Sequence, residues 1–302
     1  MSVDGPRSGP GGARPPLFVL VVAGVAVAFF ALPLAGLIGR VSWSTLVGDL
    51  GTPEATSALR LSLICSVCAA VLSVVFGLPL AWVLARVPFR GRSLVRGLVL
   101  LPLVLPPVVG GVALLSAFSR RGIIGEPLYD VFGLQLTFTT AGAVLAETFV
   151  SLPFFVITVE AGLRAMDRRY EEAAATLGAS PTTVFRRVTF PMVAPAVIAG
   201  AVLAWARALG EFGATITFAG NIIGRTQTLP LAVYLQLDTN PDVAVALSLV
   251  LLVVSLSVIV LLRERWLGGG GMGEADTNHV GGSSPSPSPS PSNPDRSRAE
   301  RS

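Results

Sequence analysis

Arg207 and Glu211 stand four residues apart in AWARALGEFGATITFAGN (204–221), a run otherwise free of charge. On a helix that spacing puts both side chains on one face, where they can pair. The chemistry open to them is a salt bridge or a guanidinium offered to an anion. A charge near the centre of a bilayer costs roughly 2.5–3.5 kcal/mol on insertion scales, so such residues face a partner or a wet cavity. Other reactive types are sparse. Cys65 and Cys68 have C-x-x-C spacing but lie inside an apolar helical run, and they read as small buried residues rather than as a metal or redox pair. The single histidine, His279, lies in a polar tail, and no H-E-x-x-H is present. No catalytic residue, metal-ligand set or resident cofactor is expected. The chain contains no lysine. A phosphate-cradling G-x-x-x-x-G-K-[ST] loop needs one, so any ATP that drives this chain must be bound by another subunit.

The elements that would carry Arg207 and Glu211 are membrane spans. Of 302 residues, 52% are hydrophobic and 13% charged, the latter about half the ~25% usual in soluble domains. At ~1.5 Å per residue, apolar runs over 17–39, 60–85, 98–118, 140–163, 192–210 and 243–262 each cross the ~30 Å hydrocarbon layer. The expected fold is an all-α integral membrane protein of about six transmembrane helices. The first run exceeds the ~7–15 residue core of a signal peptide and reads as an uncleaved span. The third contains Pro102, Pro106 and Pro107 followed by Gly110 and Gly111, and reads as a kinked helix packed inside the bundle or lining a path. Residues 40–57 and 119–139 read as polar connections. The segment 212–237 reads as an outer re-entrant or surface loop. Three domains result: a disordered tail (1–16), a six-span domain (17–267), and a Gly- and Ser/Pro-rich disordered tail (268–302).

Six spans put both termini on one side. With the N-terminus inside, thirteen arginines (7, 14, 86, 90, 92, 96, 164, 168, 169, 186, 187, 263 and 265) lie in inner segments near the membrane, and five (40, 60, 120, 121 and 225) in outer ones. The positive-inside rule therefore makes both tails cytoplasmic, together with the connection from Tyr170 to Pro191.

That connection, YEEAAATLGASPTTVFRRVTFP, is the longest polar link between two apolar runs. Tyr170, Ala173, Ala174 and Leu177 fall at i, i+3, i+4 and i+7, so a first short helix has one small apolar face. Glu171 and Glu172 sit near its start, where the helix dipole favours negative charge. Gly178 suits a left-handed cap. Ser180 is then an N-cap with Pro181 at the first helical position. Val184, Phe185 and Val188 form a second apolar face, Arg186 and Arg187 point elsewhere, and Pro191 ends the unit.

The order Glu172-Ala173-Ala174, three residues, Gly178, nine residues, Val188 and then Phe190-Pro191 resembles the EAA loop of ABC-importer permeases. The later run Arg207-x-Leu209-Gly210-Glu211-Phe212-Gly213-Ala214-Thr215-Ile216 is similar to that of the molybdate permease subgroup, with sulfate permeases as close relatives. The resemblance covers about 55–262. It implies a cytoplasmic-membrane permease whose loop residues Glu172, Ala173, Ala174, Gly178, Pro181, Phe185, Arg186 and Pro191 couple to an ATPase. It implies further that Arg207, Glu211, Gly213 and Thr215 lie near an outer gate or path. The implied partners are two ATPase subunits carrying ATP and Mg, a second copy of this chain, an extracytoplasmic oxyanion-binding protein and membrane lipid. No nucleic acid is implied.

Two other classes compete. A transporter driven by an ion gradient would draw on Glu147 and Glu160, the only candidates for proton coupling outside the Arg207/Glu211 pair, but no inverted repeat is visible. A membrane-embedded enzyme lacks any usable constellation. Within the leading reading, sulfate or tungstate remains open beside molybdate, because all three are tetrahedral dianions.

Overall fold

The computed structural model describes residues 16–267, and every described element is a helix, a turn or an extended connection. The tails expected at 1–16 (all but its last residue) and 268–302, with His279, lie outside the described residues. The chain divides into two units, 1–260 and 261–302. The second is described only over 261–267, which are helical.

Five helices among the described residues are long and apolar enough to cross a membrane. The first is Leu17–Gly39 (α1), with the bounds expected from sequence and no buried residue. A five-residue helix, Leu46–Leu50 (α2), interrupts the connection that follows. Next comes Pro53–Arg86 (α3), which starts earlier than the apolar run suggests. Thr52 caps it, its side chain accepting from Ala55 N at 3.3 Å, and Pro53 takes the first turn, where its missing N–H costs nothing.

The expected third span is two helices. Arg92–Val104 (α4) and Pro107–Phe118 (α5) are separated by an extended Leu105-Pro106 pair. A proline bars its predecessor from the helical region, so consecutive prolines at 106 and 107 force extended backbone at 105 and 106. Neither half reaches spanning length. The connection 119–139 likewise holds a helix, Gly125–Phe132 (α6), with the Arg120 guanidinium 3.9 Å above the Tyr129 ring.

Thr140–Ala165 (α7) is capped by Thr139 through Gly142 N. Two short helices follow, Arg169–Thr176 (α8) and Pro181–Val184 (α9). A π-helical turn over Phe185–Thr189 then leads without a break into Phe190–Leu209 (α10). Pro191 therefore does not end the loop unit as expected. The Phe190 N–H donates to Phe185 O, five residues back, and this widened turn makes room for the proline ring one residue later. Gly213–Ala219 (α11) and Leu229–Thr239 (α12) precede Pro241–Leu267 (α13).

The core is where α3, α7 and α10 meet. Ala81, Leu84, Phe155, Val159, Leu163 and Val197 are all buried there. Lipid is as apolar as these side chains, so close approach of small residues does the packing. On α3 the buried residues are small except for Leu61 and Leu84: Ala55, Ala58, Ser62, Cys65, Ser66, Ala69, Ser73, Gly77, Ala81 and Ala85. Its hydroxyls reach neighbours. Ser73 and Ser151 Oγ are 3.2 Å apart, Trp205 Nε1 donates to Ser66 Oγ at 3.0 Å, and Leu229 N donates to Ser62 Oγ at 2.6 Å. Such bonds contribute about 0.6 kcal/mol each in a membrane protein. Cys65 is buried as expected, but Cys68 is exposed on another face of α3.

Candidate functional site

The loop between α7 and α10 is built from local signals. Helix α8 ends at Thr176 with Leu177 as its C-cap, and Gly178 takes φ 83°. The Gly178 N–H donates to Ala175 O at 3.0 Å and the Ala179 N–H to Ala174 O at 3.1 Å. These are the paired bonds of a Schellman cap, which needs a left-handed residue at that position. Ser180 then accepts from Thr183 N at 3.3 Å, with Pro181 opening α9. Val184, Phe185 and Val188 are half-buried while Arg186 and Arg187 are exposed, as their spacing indicates. On α8 the small apolar face is turned outward instead. Leu177 is 89% exposed, Tyr170 58%, and Ala173 is exposed beside them.

The loop is tied to the bundle by a residue that sequence reasoning did not single out for this task. Glu171 Oε2 lies 3.2 Å from Arg86 Nε, and Glu171 Oε1 accepts from Thr189 Oγ1 at 2.7 Å. Arg168 Nη2 donates to Ala85 O at 3.4 Å, and the Phe185 ring meets Trp82 edge-on at 6.3 Å. A cleft of about 370 Å³ lies among Trp82, Arg86, Arg168, Glu171, Glu172 and Phe185. Glu172 itself is exposed. The only signal in the sequence for Glu171 was its place in the first turn of α8.

A second charged group sits nearby on α7. Glu160 accepts from Arg164 Nη2 at 2.8 Å and Nε at 3.0 Å, and it pairs with Arg96 of α4. Arg96 Nη2 also reaches Leu84 O at 3.4 Å. Glu160, without an evident partner in the sequence, has two, and α3, α4 and α7 are pinned together there.

The other candidate group lies where α10 ends. Arg207 Nη2 is 2.6 Å from Glu211 Oε2, and Glu211 Oε1 accepts from Ala214 N at 2.9 Å, which caps α11. Glu211 is buried. Gly213 lies so close to α5 that a Cβ there would stand 2.7 Å from Pro107 Cβ. Thr215 is fully buried, with no partner for its hydroxyl, and Glu147 on α7 is buried with Oε2 unpartnered. Of the four residues expected together, Arg207 and Glu211 pair, while Gly213 and Thr215 lie on the α11 that Glu211 caps. The segment 212–237, expected as a re-entrant or surface loop, holds α11 and the start of α12, and α11 is packed into the bundle rather than lying on its surface, because Ala214 and Phe218 bury against α5 and α7 and Ala219 against α3 and α7.

The family model described as binding-protein-dependent transport system inner membrane component matches residues 73–268. The molybdenum transport system permease protein ModB of Mycobacterium tuberculosis is 51% identical over 231 residues, 76% of this chain and 86% of that one. The sulfate transport system permease protein CysT of Salmonella typhimurium is 40% identical over 209 residues, 68% and 75% of the two chains. Among solved structures, a bacterial ABC transporter involved in the import of the acidic polysaccharide alginate superposes with TM-score 0.64 at 18% identity, covering 82% of this chain and 93% of that one.

Proposed function

The chain belongs to the family of binding-protein-dependent transport system inner membrane components, and from that premise we propose that it is the membrane permease of an ATP-driven importer of molybdate. The observation that carries the substrate is the 51% identity to a molybdenum permease, against 40% to a sulfate permease. Selection among tetrahedral dianions can rest with an extracytoplasmic binding protein, so the permease needs only weak contacts along the path.

In this reading α8 and α9 form the coupling loop. Its support is the exposed face of Tyr170, Ala173 and Leu177 beside Glu172, a surface that the bundle leaves open. Ala174, Gly178 and Pro181 set the loop's shape, Phe185 anchors it, and Arg186 faces out; Pro191 continues it into α10. Two ATPase subunits bind ATP and Mg, each docking on this face of one copy of the chain. A second copy of the chain completes the path, and α4 and α5 together make one broken crossing, which brings the crossings to six and leaves both termini cytoplasmic, in keeping with the arginine distribution. ATP closes the ATPase pair, the loop transmits that closure, and the bundle exchanges inward-facing and outward-facing states. Arg207, Glu211, Gly213 and Thr215 fix the geometry at the far end of α10, near the outer gate. The tails flank a membrane domain that spans 17–267.

The test is uptake of labelled molybdate in cells lacking this chain, with and without its return, against a large excess of unlabelled sulfate. Uptake that depends on the chain and resists sulfate is expected. Uptake abolished by sulfate would assign the same architecture to sulfate. No dependence on the chain would overturn the substrate.

A further inference from the structure

We propose that Glu171 is the positioning residue through which the loop moves the bundle, by its paired hold on Arg86 of α3 and Thr189 of the π-helical turn. The proposal rests on the coupling role given above to α8 and α9. Two acids stand side by side on α8, and successive residues on a helix point about 100° apart, from its ~3.6 residues per turn. Glu172 faces solvent, open to a partner. Glu171 turns inward, its side chain 18% exposed and that of Arg86 9%. Both carboxylate oxygens are used, one on each side of the loop: Oε2 toward the last residue of α3, Oε1 toward the root of α10.

The other ties converge on that same turn of α3. Arg168 bonds Ala85 O, and Phe185 packs on Trp82. A displacement of α8 therefore reaches the end of α3 directly, and α3 runs from there through the core against α7 and α10. Arg86 Nε and Nη2 make no hydrogen bond, so the contact with Glu171 is one of charge, and loss of the Glu171 charge strands a side chain that is nine-tenths buried. The π-helical turn gives the hold its shape. It presents Thr189 inward, 1% exposed, toward Glu171 while Arg186 and Arg187 stay outside. Wide turns of this kind recur at functional positions.

The experiment uses the full chain reconstituted with its ATPase and binding protein, and reads labelled molybdate transported per ATP hydrolysed. Glu171→Gln keeps an acceptor for Thr189 and removes the charge. We expect transport per ATP to fall about tenfold, within the ~5–150-fold range of single coupling free energies, while ATP hydrolysis and assembly persist. Arg86→Gln should match it, the double variant should be no worse than either single, and the swap Arg86→Glu with Glu171→Arg should recover most of the ratio. An unchanged ratio in Glu171→Gln overturns the proposal. So does a parallel loss of uptake and hydrolysis that the swap does not repair, since that is the mark of a merely structural residue. Glu172→Arg, run alongside, separates the two readings. If it uncouples and Glu171→Gln does not, the loop keeps its coupling role and the hold through Glu171 is wrong. If neither uncouples, the coupling role itself falls and this proposal falls with it.

Discussion

Arg207 and Glu211 meet across the end of a helix. Their side chains pair at 2.6 Å although Glu211 lies two residues beyond Leu209, the last residue of α10. The pair is asymmetric, with the Glu211 side chain 1% exposed and that of Arg207 28%. Glu211 also caps α11 through Ala214 N, so one carboxylate closes one helix and opens the next. This arrangement makes the group a joint between α10 and α11, with Arg207 as its exposed partner.

Removing the arginine should cost more than neutralising the acid. Arg207→Ala leaves a buried carboxylate without its counter-charge, a loss of about 3 kcal/mol, at the low end for buried pairs because Arg207 is partly exposed. Adding Glu211→Gln to Arg207→Met keeps the acceptor for Ala214 N and removes both charges, and should restore most of the stability. Thermal unfolding of the purified protein in nanodiscs checks this. A double variant as unstable as Arg207→Ala would show that the charge pair is not what holds the joint.

At Gly178 the outcome depends on backbone conformation rather than on space, since nothing lies within 4 Å of a Cβ there. With φ at 83°, Gly178→Val should lose about 1–2 kcal/mol, while Gly178→Asn, which tolerates the left-handed region, should lose less. Because the Schellman cap sets the angle between α8 and α9, Gly178→Val should also lower molybdate uptake more than it lowers membrane level. Equal uptake by the Val and Asn variants would show that the angle is not needed.

The loop was legible because its signals are local. Gly178, Ser180 and Pro181 act within a few residues of themselves, and the structure follows them. The break at Leu105-Pro106 was also written locally, in two adjacent prolines, but a hydropathy reading favours one continuous span through them. What could not be read was long-range. Nothing in the chain pairs Glu160 with Arg96, 64 residues away, or turns Glu171 rather than Glu172 toward Arg86. The passage of the helix through Pro191 depends on a π-helical turn whose Thr189 is held by Glu171, and no periodicity marks such a turn. The packing of α11 into the bundle arises where Gly111 and Gly213 let α5 and α11 approach, a contact that neither segment shows alone.

The Glu160 group should separate into a weak and a strong arm. Arg164 lies four residues along the same helix, its side chain 49% exposed, so Arg164→Ala should cost only about 0.3–0.5 kcal/mol. Arg96 comes from α4, also reaches Leu84 O, and is less exposed. Arg96→Ala should therefore cost about 1–3 kcal/mol, as for loss of a charged hydrogen bond with its partner left behind. Proteolysis between α3 and α4 should rise in that variant alone. A double-mutant cycle with Glu160→Gln measures both arms, and equal coupling energies would contradict the assignment.

The contact between Gly213 and Pro107 gives the last prediction, with an internal control three residues away. A Cβ at Gly213 would stand 2.7 Å from Pro107 Cβ and 3.3 Å from Val108 N, against backbone that cannot swing aside. Gly213→Ala should force α11 away from the start of α5 and cost about 1–3 kcal/mol, the usual range for overpacking. At Gly210 the nearest atom to a Cβ is Ala206 O at 3.8 Å, and φ is −90°, which any residue adopts. Gly210→Ala should therefore be neutral or stabilise by about 0.4–1 kcal/mol, through the reduced freedom of the unfolded chain. Thermal midpoints of the two variants in the same lipid should move in opposite directions. The direction for Gly213→Ala carries the inference, because only Gly213 is closely approached by α5. A midpoint unchanged in Gly213→Ala would mean that α5 and α11 yield at that contact, and that the joint beside Glu211 is softer than its geometry indicates.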